Sequence, residues 1–188
     1  MDDADRQVRV LVIGLGNSVL RDDAVGVRLA RDFRWRWECA LAPDDPRGGR
    51  IDLRFVEECS VGGLTLVEQL VGYDRVLVLD STRTPGGRPG DWCSFTASAL
   101  RSTMNLGSIH DANFATALEL GRRSGLVLPP DEQIVIFGVE IEDNLTFSER
   151  MSDALENSYP EYSEAIFSEV ARLLTKYLLE AAIHPGEI

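Results

Sequence analysis

Val8-Arg9-Val10-Leu11-Val12-Ile13-Gly14-Leu15-Gly16-Asn17-Ser18-Val19-Leu20-Arg21-Asp22-Asp23-Ala24-Val25-Gly26 decides the fold of this chain. Its first six residues are β-branched or apolar apart from Arg9 and end at a glycine, the pattern of a strand buried within a parallel or mixed sheet. After the loop, Val25, Leu29, Phe33 and Trp37 recur every four residues, which marks one face of a helix. Asp22 and Asp23 stand before that helix, where carboxylates suit its free N–H groups and its dipole. The opening resembles a dinucleotide-binding turn, but Val19 occupies the place of the third glycine in G-x-G-x-x-G. Two adjacent acids would also repel a pyrophosphate, so a Rossmann-type nucleotide binder is the weakest of the readings. A tight turn with helix caps accounts for the glycines and for one Asp, not for two.

The same alternation continues outward. Ile51 to Val56 alternates as a half-buried strand, and Glu57 to Gly63 connects it to a helix over Leu64 to Leu70. Val76 to Asp80 reads as a buried strand stopping at an acid, and Trp92 to Thr96 as an edge strand. Pro43 to Gly49 and residues 83–90 read as loops. Asp111 to Ser124 reads as a helix and Gln133 to Val139 as a strand. A long helix from about Pro160 to Ala182 buries Ile166, Val170, Leu173, Leu174, Tyr177 and Leu178. Strands alternating with helices predict a single α/β domain over 1–188, a twisted, mostly parallel sheet with helices on both faces. The segments 1–7 and 184–188 are expected to be frayed tails. Such folds place ligands at the carboxyl ends of the strands, here Gly14–Asp23, Glu57–Gly63 and Asp80–Ser81.

Composition narrows the chemistry. The chain has 188 residues, 44% hydrophobic and 27% charged, which is ordinary globular usage. Its 31 acids outnumber 19 bases, for a net charge of −12. Residues 140–188 carry 11 acids and 3 bases and read as a solvated surface. Nothing resembles the basic cluster that a phosphate backbone requires, so no nucleic-acid partner is expected. No apolar stretch approaches the roughly 18 residues of a membrane span, and the acidic Met1–Asp5 start is unlike a secretory signal. Three cysteines, Cys39, Cys59 and Cys93, make no C-x-x-C pair, so a reduced, cytoplasmic protein is expected. Nothing in the sequence demands an oligomer, so the expectation is a monomer.

Only two histidines are present, His110 and His184, which excludes a His-rich metal cage. His184 lies in the terminal segment, leaving His110, in the loop Ser108-Ile109-His110-Asp111. Cys59-Ser60 invites a nucleophile reading, but there is no G-x-S-x-G elbow, and a packing role fits better. Asp23, Glu58 and His110, 35 and 52 positions apart, form a set of two carboxylates and one imidazole. Those donors suit a borderline divalent ion such as Zn²⁺ or Ni²⁺.

Gly14-Leu15-Gly16-Asn17, Leu20, Asp22-Asp23 and Val25-Gly26 after an N-terminal strand resemble the hydrogenase maturation endopeptidases, which process the large subunit of [NiFe] hydrogenases. Further matches follow in order: an acidic strand end before a glycine turn and helix (Glu58 to Leu70), a strand ending in Asp80, Ser108-x-His110, Pro129 before Ile134–Glu140, and Leu145-Thr146-Phe147-Ser148. The resemblance implies an endopeptidase that removes the C-terminal extension of the large-subunit precursor after nickel insertion. It implies Asp23, Glu58 and His110 as the residues that meet the metal. It also implies that the ion is the substrate's Ni²⁺, with Zn²⁺ or Cd²⁺ as stand-ins in vitro. The family turn Asp-Gly-Gly-Thr is here Glu58-Cys59-Ser60-Val61, which keeps the carboxylate but moves it one methylene outward. Glu57 competes with Glu58, and counting back from Gly63 favours Glu58. A non-catalytic, metal-sensing hydrogenase assembly protein on the same fold is the second reading.

Overall fold

Every residue from Val8 to Ile13 except Arg9 is apolar, and a strand apolar on both faces must be covered on both. In the computed structural model this stretch is β1 (Val8–Leu15), next to one edge of a five-stranded sheet. The structure describes residues 7–40, 50–102 and 109–183, without the side chains of 101–113 and 181–183. The expected tails (Gln7 apart), the Pro43–Gly49 loop, Ser108 and His184 lie outside the described residues.

The remaining strands are β2 (Ile51–Cys59), β3 (Arg75–Thr82), β4 (Trp92–Thr96) and β5 (Ile134–Glu140), in the order β2-β1-β3-β5-β4. All neighbours are parallel except β4, which pairs antiparallel with β5, Trp92 opposite Val139 and Phe95 opposite Ile136. The expected edge strand is therefore the antiparallel one of a mostly parallel sheet.

Side-chain alternation splits the core into two layers. Val10, Val12, Leu77, Leu79 and Phe137 face α1 (Val25–Ala40) and α5 (Asp153–Ile183), packing on Leu29, Phe33, Leu155 and Ile166. Leu11, Ile13, Val76, Val78 and Ile136 face the other side, against α2 (Gly63–Gln69), α3 (Ala97–Ser102) and α4 (Ile109–Arg123) through Leu66, Leu70, Leu100, Phe114 and Leu118. Helices thus cover both faces.

Three expectations change. The long helix begins at Asp153, so Pro160 lies inside it rather than at its start. An interior proline forfeits one backbone hydrogen bond and costs about 3 kcal/mol. Leu155, Tyr159, Tyr162 and Ile166 nevertheless form one buried stripe, and burying its first turns offsets that cost. Helix α4 starts at Ile109, which puts His110 in its first turn rather than in a loop. Strand β2 runs through Glu57 and Glu58, which the sequence places in a connection. Its pairing skips there: Ile13 faces Val56 but Leu15 faces Cys59, so three residues of β2 span two of β1. That is a β-bulge, and it re-aims the side chains at the strand end.

The glycine at 26 serves packing. A Cβ there would run into the carbonyl oxygens of Leu15 and Leu79, so glycine lets α1 lie directly on β1 and β3.

Candidate functional site

The carboxyl ends of β1, β2 and β3 open into a cleft of about 760 Å³. The loop after β1 forms one wall. Gly16 has φ +128°, and a Cβ there would strike the Asp23 carbonyl, so glycine brings this loop back over the start of α1. A 3₁₀ turn, Arg21–Ala24, then delivers two aspartates to different surroundings.

Asp22 is fully buried. Its Oδ1 accepts the Ser152 N–H at 2.6 Å, and its Oδ2 accepts the Ser152 hydroxyl at 3.0 Å. The N–H groups of Asp143 (3.1 Å) and Glu142 (3.3 Å) also point at Oδ2. Asp22 therefore staples the 142–152 segment to the start of α1, and it does not line the cleft. Asp23 does. Its Oδ2 accepts the Asn17 N–H at 2.8 Å and its Oδ1 the Ser81 hydroxyl at 3.0 Å. The doublet thus has two separate jobs, which explains the second acid.

Ser81 leads to a second cleft acid. Its backbone N–H donates to Asp80 Oδ1 at 2.8 Å, so one serine bridges Asp23 and Asp80. Both aspartates line the cleft. The sequence marks Asp80 as an acid ending a buried strand, but the site set assembled from it passes Asp80 over.

Glu58 is not among the lining residues. It is exposed beside the bulge, and its Oε1 accepts the Ser18 hydroxyl at 2.9 Å and the Ser18 N–H at 3.2 Å. It pins the loop after β1 from outside the cleft. Glu57 faces α1, where Arg34 Nη1 lies 2.8 Å and Arg31 Nε 3.5 Å from its carboxylate. Glu57 continues the α1-facing side of β2, and Glu58, at the bulge, turns to the loop after β1, where Asp23 and Glu58 hold the adjacent N–H groups of Asn17 and Ser18. The backbone of His110 lies in the first turn of α4, and its side chain is outside the described residues. Among the described residues no three His, Cys, Asp or Glu side chains converge as a metal-binding group. Asp23 and Asp80 are the pair that could offer carboxylate oxygens to a cation in the cleft.

The Asn17 and Ser18 N–H groups, which a phosphate would need, are taken by the carboxylates of Asp23 and Glu58. This disfavours a nucleotide at the glycine loop.

Cys59 lines the cleft but is only 6% exposed, with its thiol 3.6 Å from the Val61 carbonyl. Burial pushes the thiol up from its ordinary value, Val61 acts in the opposite sense, and the Asp80 charge adds to the rise. A thiol held protonated is a poor nucleophile. Cys39 and Cys93 are exposed. At neutral pH iodoacetamide will label Cys39 and Cys93 about tenfold or more faster than Cys59, as read by peptide mass spectrometry. Equal labelling of Cys59 would reopen the nucleophile reading.

Much of the cleft lining is apolar: Leu15, Leu20, Leu64, Leu66, Phe114 and Leu120. Residues 144–147 fold back toward the loop after β1, with a bridge between Leu20 and Phe147 and the Ser148 N–H on the Val19 carbonyl. Asp143 anchors this turn. The Thr146 side chain and the N–H groups of Leu145 and Thr146 hold its carboxyl down at about 2, with Arg21 adding to the effect.

No protein-family model matches the chain. No curated protein matches it. Solved structures do. The chain is similar to the hydrogenase maturating endopeptidase HybD from E. coli, with 20% identity, 87% of this chain and 93% of that one covered, and a TM-score of 0.60. It is similar to an endopeptidase from Escherichia coli solved in solution, at 21% identity, 84% and 89% coverage and a TM-score of 0.62. The [NiFe] hydrogenase maturation protease HycI from Thermococcus kodakarensis KOD1 aligns at 21% identity, 90% and 94% coverage and a TM-score of 0.57. The chain has the α/β fold of these solved endopeptidases.

Proposed function

We propose that this chain is an endopeptidase that removes the C-terminal extension of a [NiFe] hydrogenase large-subunit precursor after nickel insertion. One observation carries the reading. Two carboxylates, Asp23 on the 3₁₀ turn after β1 and Asp80 on β3, are coupled through Ser81 in a cleft on the fold of a solved hydrogenase maturation endopeptidase.

The chemistry follows from the donors. Both oxygens of Asp23 are held, by Asn17 and Ser81, so its carboxylate orientation is fixed before substrate arrives. Asp80 is fixed on Oδ1 by the Ser81 N–H. Two preset carboxylates attract a divalent cation without having to move. In this reading the cation is the substrate's own nickel, and the substrate's cysteines complete its coordination. When bound, that ion would supply Lewis-acid polarisation of the scissile carbonyl; a cleft carboxylate would take a proton from the attacking water and return it to the departing amine as the C–N bond breaks. His110 is the third candidate to meet the metal. Glu58 acts as a positioning residue that holds the loop after β1 through Ser18.

The test is co-expression with a [NiFe] hydrogenase large-subunit precursor, with and without nickel, followed by mass spectrometry of the precursor. The extension should be lost only with nickel, and the Asp23→Asn and His110→Ala variants should leave it in place. A precursor bound but never shortened would favour the non-catalytic assembly reading. Nickel-independent cutting would remove metal recognition from the proposal.

A further inference from the structure

The acid pair lines an opening that is rimmed by apolar side chains in water. Among the described residues ten large hydrophobic side chains are exposed, and six of them gather at this opening. Val61, Leu64, Leu120 and Leu145 line it, and Val19 and Phe147 stand on the bridged segments beside it. Leu145 is 77% and Phe147 80% exposed. Scattered apolar residues on a surface need no explanation, whereas a patch around one cleft marks an interaction surface.

The display is preorganised. Asp143 Oδ1 accepts the N–H groups of Leu145 and Thr146, each at 3.0 Å. The Ser148 N–H reaches the Val19 carbonyl at 3.1 Å. Buried Asp22 accepts from the backbone of Glu142 and Asp143. The backbone is fastened from behind while the side chains of Leu145 and Phe147 stay in solvent, so a partner has little left to order on binding.

Charge selects the partner's chemistry. Among the described residues lining the cleft there is no Lys or Arg, and there are two Asp. An anionic ligand is disfavoured, and a cationic centre flanked by apolar side chains is favoured. We infer that Val19, Leu145 and Phe147 on one lip, with Val61, Leu64 and Leu120 on the other, grip apolar side chains of the large-subunit precursor on either side of the metal-bearing segment that Asp23 and Asp80 meet. This rests on the function proposed above and assigns the affinity to the rim rather than to the acids.

The experiment compares three full-length proteins: wild type, the double variant Leu145→Glu with Phe147→Glu, and Val127→Glu. Val127 is 79% exposed and is not among the residues lining the cleft. Binding of purified, nickel-loaded precursor is measured by biolayer interferometry, and cleavage is read separately by mass spectrometry. The double variant should bind at least tenfold more weakly, and Val127→Glu within twofold of wild type. If the double variant does not keep the wild-type circular dichroism, a photo-crosslinking phenylalanine analogue at position 147 replaces it and should trap the precursor, whereas the same analogue at 127 should not. Binding that depends on the rim without cleavage supports the docking surface and overturns the endopeptidase reading. Cleavage with rim-independent binding overturns the docking surface alone, and no binding by wild type overturns both. Self-association of the free protein that is lost in the double variant, with precursor binding intact, would give the rim to a second copy and overturn the inference.

Discussion

Asp80→Asn will reduce nickel-dependent processing of the precursor by about 100-fold or more, and Glu58→Gln will leave it close to wild type. The two changes are matched: each removes one negative charge and keeps side-chain volume. They differ in where the charge stands. Asp80 lines the cleft and shares Ser81 with Asp23, so its loss removes half of the anionic field that a substrate cation would meet. Glu58 is exposed, and its Oε1 only accepts from Ser18. Glutamine keeps an oxygen for that contact, so the loop after β1 should stay in place. The rates come from timed mass spectrometry of the precursor, with circular dichroism as the check on folding. The opposite pattern, a silent Asp80→Asn and an inactive Glu58→Gln, would make Glu58 rather than Asp80 the second acid.

The architecture was legible because it is written in local pattern. The apolar runs Val8–Ile13 and Val76–Leu79 give strands buried on both faces, and the spacing of Val25, Leu29 and Phe33 gives the helix after the first. The site was legible only by address. Asp23 can be chosen from the glycine-loop motif, and Asp80 is visible as an acid at a strand end. Their coupling is not visible, because it runs through the Ser81 hydroxyl across 58 positions of sequence. The setting of Glu58 is hidden for a related reason. In a regular strand it would follow the alternation, but the extra residue between the Ile13–Val56 and Leu15–Cys59 pairs turns it outward. No single-sequence signal announces a bulge. Pro160 shows the same limit, since local propensity starts a helix there and tertiary burial of Leu155 and Tyr159 starts it earlier.

The Asp22-Asp23 doublet offers the largest effect on stability. Asp22→Ala will destabilise the fold by about 3–5 kcal/mol, lowering the melting temperature by roughly 10 °C for a chain of this size. The reason is an accounting of donors. Four groups point at the Asp22 carboxylate: the Ser152 N–H and hydroxyl, and the backbone N–H groups of Asp143 and Glu142. The site is sealed, with Asp22 0% and Ser152 1% exposed, so water cannot replace the lost acceptor without opening the core. Asp22→Asn keeps one acceptor oxygen and turns an amide N–H₂ toward donors, so its loss should be intermediate. The damage should also spread to function. Asp22 holds the backbone of Glu142 and Asp143, and Asp143 holds Leu145 and Thr146, so loosening the staple releases the rim that carries Phe147. Asp23→Asn is the counterpart. Its carboxylate lines the cleft, so it should abolish processing with a melting temperature near wild type. Thermal denaturation of the three variants beside wild type decides the matter. A melting temperature for Asp22→Ala within 2 °C of wild type would mean that the 142–152 segment is held by other contacts, and that the two aspartates are not divided between folding and chemistry.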